Sequence, residues 1–285
     1  MQDPRKRWHA YLQAARAEQT RAPIRFLIYC QGRTGSSLLT RLLHQHPQVY
    51  CDGELFNPNF YGQIRRPYAY VDGCAAAAAD GNDAIQAYGF KLKFYELTEL
   101  QRAFRRRYDV ATFLQTLHAQ GWRFIHLQRR DKLAHAYSTM RLLDERRARL
   151  LYAGAYLATG RLRRARRALQ IRRALRRGRR PYVTVDPKAF VRHVQQRQAH
   201  DNAEPHYIQE IPTLHLEYER DLADAAQHQA TMDRVFAHFG LTPIRLAPDK
   251  PRGSAPRLRD NIRNYDEVVA QLHAAGLDHL LPPQT

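Results

Sequence analysis

The feature that most constrains this chain is the stretch IRFLIYCQGRTGSSLLTRLL, residues 24–43. Ile24 to Cys30 form a near-continuous apolar run, which predicts a strand buried on both faces. An amphipathic helix follows, with Leu38, Leu39, Leu42 and Leu43 at helical spacing. Between them stand Gly32, Arg33, Thr34, Gly35, Ser36 and Ser37. A buried strand that turns through glycines into a helix aims several backbone N–H groups and the positive end of the helix at one point. The turn therefore suits an anion, with Thr34, Ser36 and Ser37 as hydroxyl donors. The phosphate loop of nucleoside triphosphatases, GxxxxGK[ST], would carry a lysine here. This chain has no lysine in the loop, and an arginine stands at position 33.

The rest of the chain alternates between short β-rich runs and longer helical ones. Strands are expected at 24–30, 88–94, 123–129 and 212–218, and helices at 35–45, 109–119, 131–177, 187–203 and 222–239. Asp109 is a candidate cap for the second helix, and Asp186-Pro187 opens the fourth. Gly240 ends the last. The alternation predicts an α/β fold, a parallel sheet flanked by helices, whose ligands bind beyond the carboxyl ends of the strands. CAAAAADGND (74–83) reads as a short helical or loop excursion. A single domain is expected over 1–285, with a basic helical insertion at about 142–182.

Composition narrows the function classes. No run of 18 apolar residues exists, so a transmembrane helix is not expected. The first twenty residues lack the apolar centre of a signal peptide, and the expected location is the cytoplasm. Three cysteines without paired spacing suggest neither a disulfide framework nor a zinc site. The fourteen histidines form no metal-ligand pattern, so no metal is expected. A formal charge of +19 implies an anionic partner: nucleic acid, membrane surface, nucleotide or acidic peptide. Eleven of the 46 basic residues lie in RLRRARRALQIRRALRRGRR (161–180), so the charge is partly local.

The stretch GRTGSSLLTRLLHQHPQVYCDGELF resembles the 5′-phosphosulfate loop of sulfotransferases that use 3′-phosphoadenosine-5′-phosphosulfate, PAPS. It is most similar to the nodulation-type and trehalose-type bacterial carbohydrate enzymes and to tyrosylprotein sulfotransferases. The resemblance implies a sulfotransferase-type fold with a P-loop-like turn. In it Arg33, Thr34, Gly35, Ser36 and Ser37 would hold the phosphosulfate. A sulfuryl group carries less charge than a terminal phosphoryl group, so an arginine, backbone amides and hydroxyls can serve where a kinase needs a metal.

The family also implies a 3′-phosphate site, carried here by FIHLQRRDKLAHAYSTMR (124–141). Arg130 and Ser138, eight residues apart, match its spacing, and Arg129 replaces Arg130 if the register differs by one. SAPRLRDNIRNYDEVVAQL (254–272) resembles the C-terminal segment of bacterial members, where Arg252 and Gly253 would help cover the nucleotide. The likeness touches residues 24–60, 85–95, 123–141 and 208–272 and leaves out the arginine-rich segment.

Sulfuryl transfer to an alcohol needs a base for the acceptor proton and a cation near the leaving phosphate. Glu54 lies 21 residues after Arg33, as the catalytic glutamate does in tyrosylprotein sulfotransferases, and is the expected base; Asp52 is the runner-up. Lys91 and Lys93 share a strand face by alternation. The family's glycine-then-lysine pattern favours Lys91 as the leaving-group cation, with Lys93 second. The acid–base histidine of the cytosolic small-molecule sulfotransferases has no counterpart, which supports the glutamate branches.

The implied reaction moves sulfate from PAPS to a hydroxyl without a metal. The arginine-rich segment leans toward an acidic tyrosine-containing peptide or protein as acceptor, with a glycan as the alternative. Phe56, Tyr61 and Tyr95 suit either pocket. Nucleic acid is disfavoured as the partner, and a homodimer stays open. A basic nucleic-acid or membrane-surface binder would leave the loop, Arg130, Ser138 and Glu54 as coincidences. A metal-dependent phosphotransferase would want the missing lysine.

Overall fold

The computed structural model describes residues 24–57, 66–80, 82–97, 109–141, 183–248 and 258–282. By its contacts the chain divides into two compact units: Met1–Arg130 with His200–Pro251, and Asp131–Ala199 with Arg252–Thr285. The basic segment 142–182, Tyr61, Arg252 and Gly253 lie outside the described residues.

The first unit is built on five parallel strands: β1 (Ile24–Cys30), β2 (Val49–Glu54), β3 (Ala87–Leu92), β4 (Arg123–Gln128) and β5 (Thr213–Glu217). Their order across the sheet is β2-β3-β1-β4-β5. The central strand pairs with β3 through Ile24↔Ala87 to Tyr29↔Leu92 and with β4 through Phe26↔Arg123 to Cys30↔Leu127. Parallel strands need crossovers, and the helices that make them cover both faces. This is the expected α/β class.

Alternation along the strands divides the core into two layers. Phe26, Ile28 and Cys30 of β1 pack with Leu38, Leu39, Leu42 and Leu43 of α1 (Ser36–Leu43) on one face. Leu27 and Tyr29 point to the other, which α2 (Pro67–Asp80) and α3 (Val110–Ala119) cover with Val71, Cys74, Phe113, Leu114 and Leu117. Aromatic side chains fill that second layer, with Phe90 edge-on to Trp122 and Phe56 edge-on to Phe113. Asp109 caps α3 by accepting from Thr112 N–H at 2.8 Å, as the sequence suggested.

Several elements differ from expectation. β2 was not anticipated, because only Val49, Tyr50 and Cys51 precede the polar Asp52-Gly53-Glu54. The alanine run is the end of a fourteen-residue helix opened by Pro67, consistent with the helix propensity of alanine. The expected helix at 222–239 begins as one turn of π-helix, Tyr218–Leu222, and a 3₁₀ turn, Ala225–Gln227. Only then does the helix His228–Phe239 start; it ends at Gly240 with a left-handed C-cap. The helix expected at 187–203 runs on through Pro205.

In the second unit, a helix over 132–141 contributes Leu133, Ala136 and Tyr137 to a separate core. Phe190, Val191 and Val194 join them from the long helix Pro187–Ile208, whose residues from His200 onward belong to the first unit. Val268 and Leu272 come from Tyr265–Ala274. Asp186 caps the long helix, accepting from the N–H groups of Lys188 and Ala189 at 2.9 and 3.2 Å. Among the described residues no helix is long and apolar enough to cross a membrane.

Gly89 pairs with Phe26 across β1 and β3, and a Cβ there would lie 2.2 Å from the Phe26 ring. Both strands are buried and pinned by their ladders, so neither can yield. Gly89→Ala is expected to destabilise the protein by about 1–3 kcal/mol or more, as overpacking does, read as a lowered urea midpoint with an unchanged slope.

Candidate active site

β1 is the central strand, with β3 and then β2 on one side and β4 and then β5 on the other; the chain leaves β1 for the edge strand β2, returns to β3, and crosses β1 to β4. The carboxyl end of β1 is thus the switch point of the sheet, where open α/β sheets bind their ligands. The loop singled out in the sequence leaves β1 there.

Gln31 is buried and donates through Nε2 to Asp201 Oδ1 at 2.5 Å, tying the first loop residue to the long helix. Gly32 N–H donates to Tyr95 Oη at 3.3 Å. Arg33 adopts a left-handed φ of 73°, unusual without a glycine, and its side chain is exposed. The guanidinium of Arg129 donates to the Arg33 carbonyl at 3.2 Å and lies over the Tyr218 ring at 4.8 Å. Gly35 has φ 95°, and a Cβ there would stand 2.5 Å from that same tyrosine ring. Glycine is thus required twice over at position 35, by backbone conformation and by contact.

Gly35 is the N-cap of α1 and supplies no side-chain cap. The first turn of α1 therefore presents backbone N–H groups that no capping side chain satisfies. Of the three expected hydroxyl donors, Thr34 turns inward and donates to the Gln31 carbonyl at 2.9 Å. Ser36 is buried against the thiol of Cys30, and Ser37 is exposed.

The ends of β2 and β3 bring the charged groups together. Glu54 stands opposite Lys91 in the strand register. Its Oε2 lies 2.7 Å from Lys93 Nζ and accepts from Asn57 Nδ2 at 2.9 Å. The same ammonium reaches Glu96 Oε1 at 3.2 Å, while Lys93 N–H donates to Glu96 Oε2 at 3.2 Å. One lysine therefore joins two carboxylates. The Glu54 side chain is 28% exposed and that of Glu96 is 2%.

Burial alone would raise the Glu54 carboxyl, but Lys93, Asn57 and Lys91 outweigh it and hold the group below its ordinary value. Burial wins at Glu96 despite Lys93 and pushes that carboxyl up to about 7. Burial would lower the Lys93 ammonium, but Glu96, Tyr95 and Glu54 raise it above its ordinary value. Lys91 is 8% exposed, acts electrostatically on Cys30, Cys51 and Glu54, and has no ion pair or hydrogen bond among the described residues. A cation so deeply buried is costly unless an anion meets it.

Asp52, the runner-up base, is buried and accepts from Tyr88 Oη at 2.9 Å and Tyr50 Oη at 3.3 Å. Arg130 is 80% exposed at its side chain, with Nε 3.5 Å from Glu217 Oε2 and its N–H donated to Glu219 Oε2 at 2.9 Å. Ser138 lies in the second unit, on the helix 132–141. The structure thus gathers Arg33, Gly35, Ser37, Glu54, Lys91 and Lys93 around the carboxyl ends of β1, β2 and β3.

Sequence reasoning missed Glu96, Tyr95 as the partner of Gly32, and Tyr218. It also missed a buried pair beside the loop, His126 Nε2 and Glu204 Oε2 at 3.2 Å, where burial raises the Glu204 carboxyl. Only Glu96 had a legible signal, three residues after Lys93 in a helical turn. Among the described residues no group of three or more His, Cys, Asp and Glu side chains is placed to hold a metal ion. No family model matches the chain, and no curated protein is significantly similar to it.

The electrostatic assignment can be checked directly. Lys93→Met removes the charge that offsets burial at both carboxyls, so Glu54 and Glu96 should each titrate at higher pH than in the wild type. Carbon-13 carboxyl NMR across a pH series reads both shifts.

Proposed function

We propose that the protein is a PAPS-dependent sulfotransferase that moves the sulfuryl group to an acceptor hydroxyl. The observation that carries this reading is Lys91, a deeply buried lysine with no ion pair or hydrogen bond among the described residues, beside a loop whose helix N-terminus has no side-chain cap. Both features call for an anion at the switch point. The resemblance of the loop and of Glu54 to the sulfotransferase pattern chooses phosphosulfate among anions.

The residues present fit such a cosubstrate. The backbone of Gly35, Ser36 and Ser37 and the hydroxyl of Ser37 would hold the 5′-phosphosulfate, and Arg130 would meet the nucleotide's 3′-phosphate. PAPS supplies an activated sulfuryl group whose leaving group is a phosphate. Lys91, with Arg33, opposes the negative charge that grows there as the sulfur–oxygen bond breaks. Glu54 is ionised, partly exposed and held by Lys93 and Asn57, so it can accept the acceptor's proton as the new bond to sulfur forms.

For the acceptor we favour a tyrosine in an acidic peptide or protein, a choice supported by the charge of +19 and the eleven arginines of 161–180. A neutral glycan would gain nothing from that field.

Adenosine 3′,5′-bisphosphate should raise the melting temperature without magnesium, and an acceptor screen with sulfur-labelled PAPS should label acidic tyrosine peptides. Labelling of glycans alone would move the acceptor to sugars. Stabilisation by ATP only with magnesium would overturn the reading in favour of a phosphotransferase. Glu54→Gln should keep nucleotide binding and lose about 10²–10⁴ in turnover. Lys91→Ala should slow the same step and weaken binding, and an effect confined to Lys93→Ala would exchange the roles of the two lysines.

A further inference from the structure

Glu96 has no part in the roles above, yet it is 1% exposed and shares the ammonium of Lys93 with Glu54. The three groups form a line from the accessible carboxylate, through the lysine, to a carboxylate shut off from solvent. Two carboxyls whose surroundings differ this much divide acid and base duties between them. Glu54 is held ionised by its partners and keeps a proton poorly. Glu96 keeps one near neutrality, where a proton acceptor works best.

Resting on the sulfotransferase reading, we infer that Glu96 is a positioning residue that fixes Lys93 on Glu54 and takes up, through Lys93, the proton that Glu54 removes from the acceptor. The step balances. The acceptor oxygen forms its bond to sulfur, the bond from sulfur to the leaving phosphate breaks, and the acceptor's proton passes to Glu54 Oε2. Lys93 hands one proton to Glu96 Oε1 and takes the one on Glu54. Lys93 ends as an ammonium, Glu54 as a carboxylate and Glu96 as a neutral acid. Glu54 is thereby restored to its charged form beside the lysine before product leaves.

The groups around Glu96 are compatible with this. Glu54 and Asn57 face the cluster from the end of β2, and Lys91 acts on Glu54 from β3. Tyr95 lies beside the ammonium at 5.8 Å and is stacked on His200 of the long helix at 5.5 Å. Among the described residues Lys93 is the cation in direct contact with Glu96, and the hand-over runs through it.

The test is the pH profile of turnover for wild type, Glu96→Gln and Glu96→Asp at saturating PAPS. The relay requires Glu96 ionised, so wild-type turnover should fall as pH drops through about 7. In E96Q that limb should move to lower pH, onto Glu54, and neutral turnover should fall by about 10²-fold, with nucleotide affinity unchanged. E96D should keep a limb near neutrality. A second readout needs no activity. Glu96 in the folded protein titrates at about 7 against an ordinary 4.5, so its contribution to stability is full below about 4.5 and is lost as pH rises through about 7. E96Q should lack that loss. An E96Q enzyme that is merely slower, with an unmoved profile, overturns the relay while leaving the sulfotransferase reading intact. So does an unchanged stability profile, or an E96D enzyme without the neutral limb. A wild type that transfers sulfate to no hydroxyl overturns the reading and the relay together.

Discussion

Strand β1 is hydrogen-bonded along both edges and covered on both faces, and from Phe26 to Cys30 no residue exceeds 1% exposure. That double confinement governs the rest of the site. A strand held from four sides can leave the sheet only at its end, so the chain must bend sharply after Cys30. The pairing order then sets β3 on one side of the bend and β4 on the other. Whatever follows those two strands is delivered to the same loop. Lys91 and Lys93 arrive from β3, Glu54 from its partner β2, and Arg129 and Arg130 from β4. The site is a consequence of strand order more than of any single contact.

Charge at this place is balanced locally. Lys93 is satisfied by two carboxylates, while Lys91 has no direct partner among the described residues. The two lysines and two glutamates sum to zero when all are ionised, with the positive end at Lys91. The overall charge of +19 therefore says little about the chemistry of the site. Exposed charges act over a screening length of about 8–10 Å in salt and influence how an anionic partner arrives. The buried lysine acts at contact, where screening is weak.

The fold class was legible because its signals are periodic and local. β1 carries a near-continuous apolar run, β3, β4 and β5 carry short β-rich ones, and Asp109 and Gly240 mark helix ends by their own chemistry. β2 was hidden because half of it is polar: Asp52 is buried, and accepts from tyrosine hydroxyls of its own strand and of β3. The π turn at Tyr218–Leu222 was hidden because apolar spacing does not distinguish it from a helix start. At the site, Glu54 and the loop could be read from spacing. The choice between two lysines could not, since alternation puts both on one face. What separates them is the end of β3 at Leu92, which frees Lys93 to turn toward Glu54 and Glu96. Glu96 was within reach of local reading, three residues after Lys93, whereas Tyr218 and His126 with Glu204 depend on contacts between segments distant in sequence, and no local pattern encodes those.

The left-handed turn at Arg33 bears on how the site would work. A non-glycine residue in that conformation is strained and persists only where surrounding contacts over-determine it. Here the contacts come from across the sheet. Arg129 holds the Arg33 carbonyl, Tyr218 lies under the Arg129 guanidinium and against Gly35, and Glu219 Oε1 stands 3.6 Å from Arg129 Nε. None of these groups belongs to the loop or to α1. The loop is thus shaped by β4 and the π turn before any ligand arrives, and its N–H groups need not reorganise to meet developing charge. Preorganised donors of this kind are most effective when charge moves during the reaction, because their orientation was set by folding. The π turn thus helps to hold the shape of a loop to which it does not itself belong.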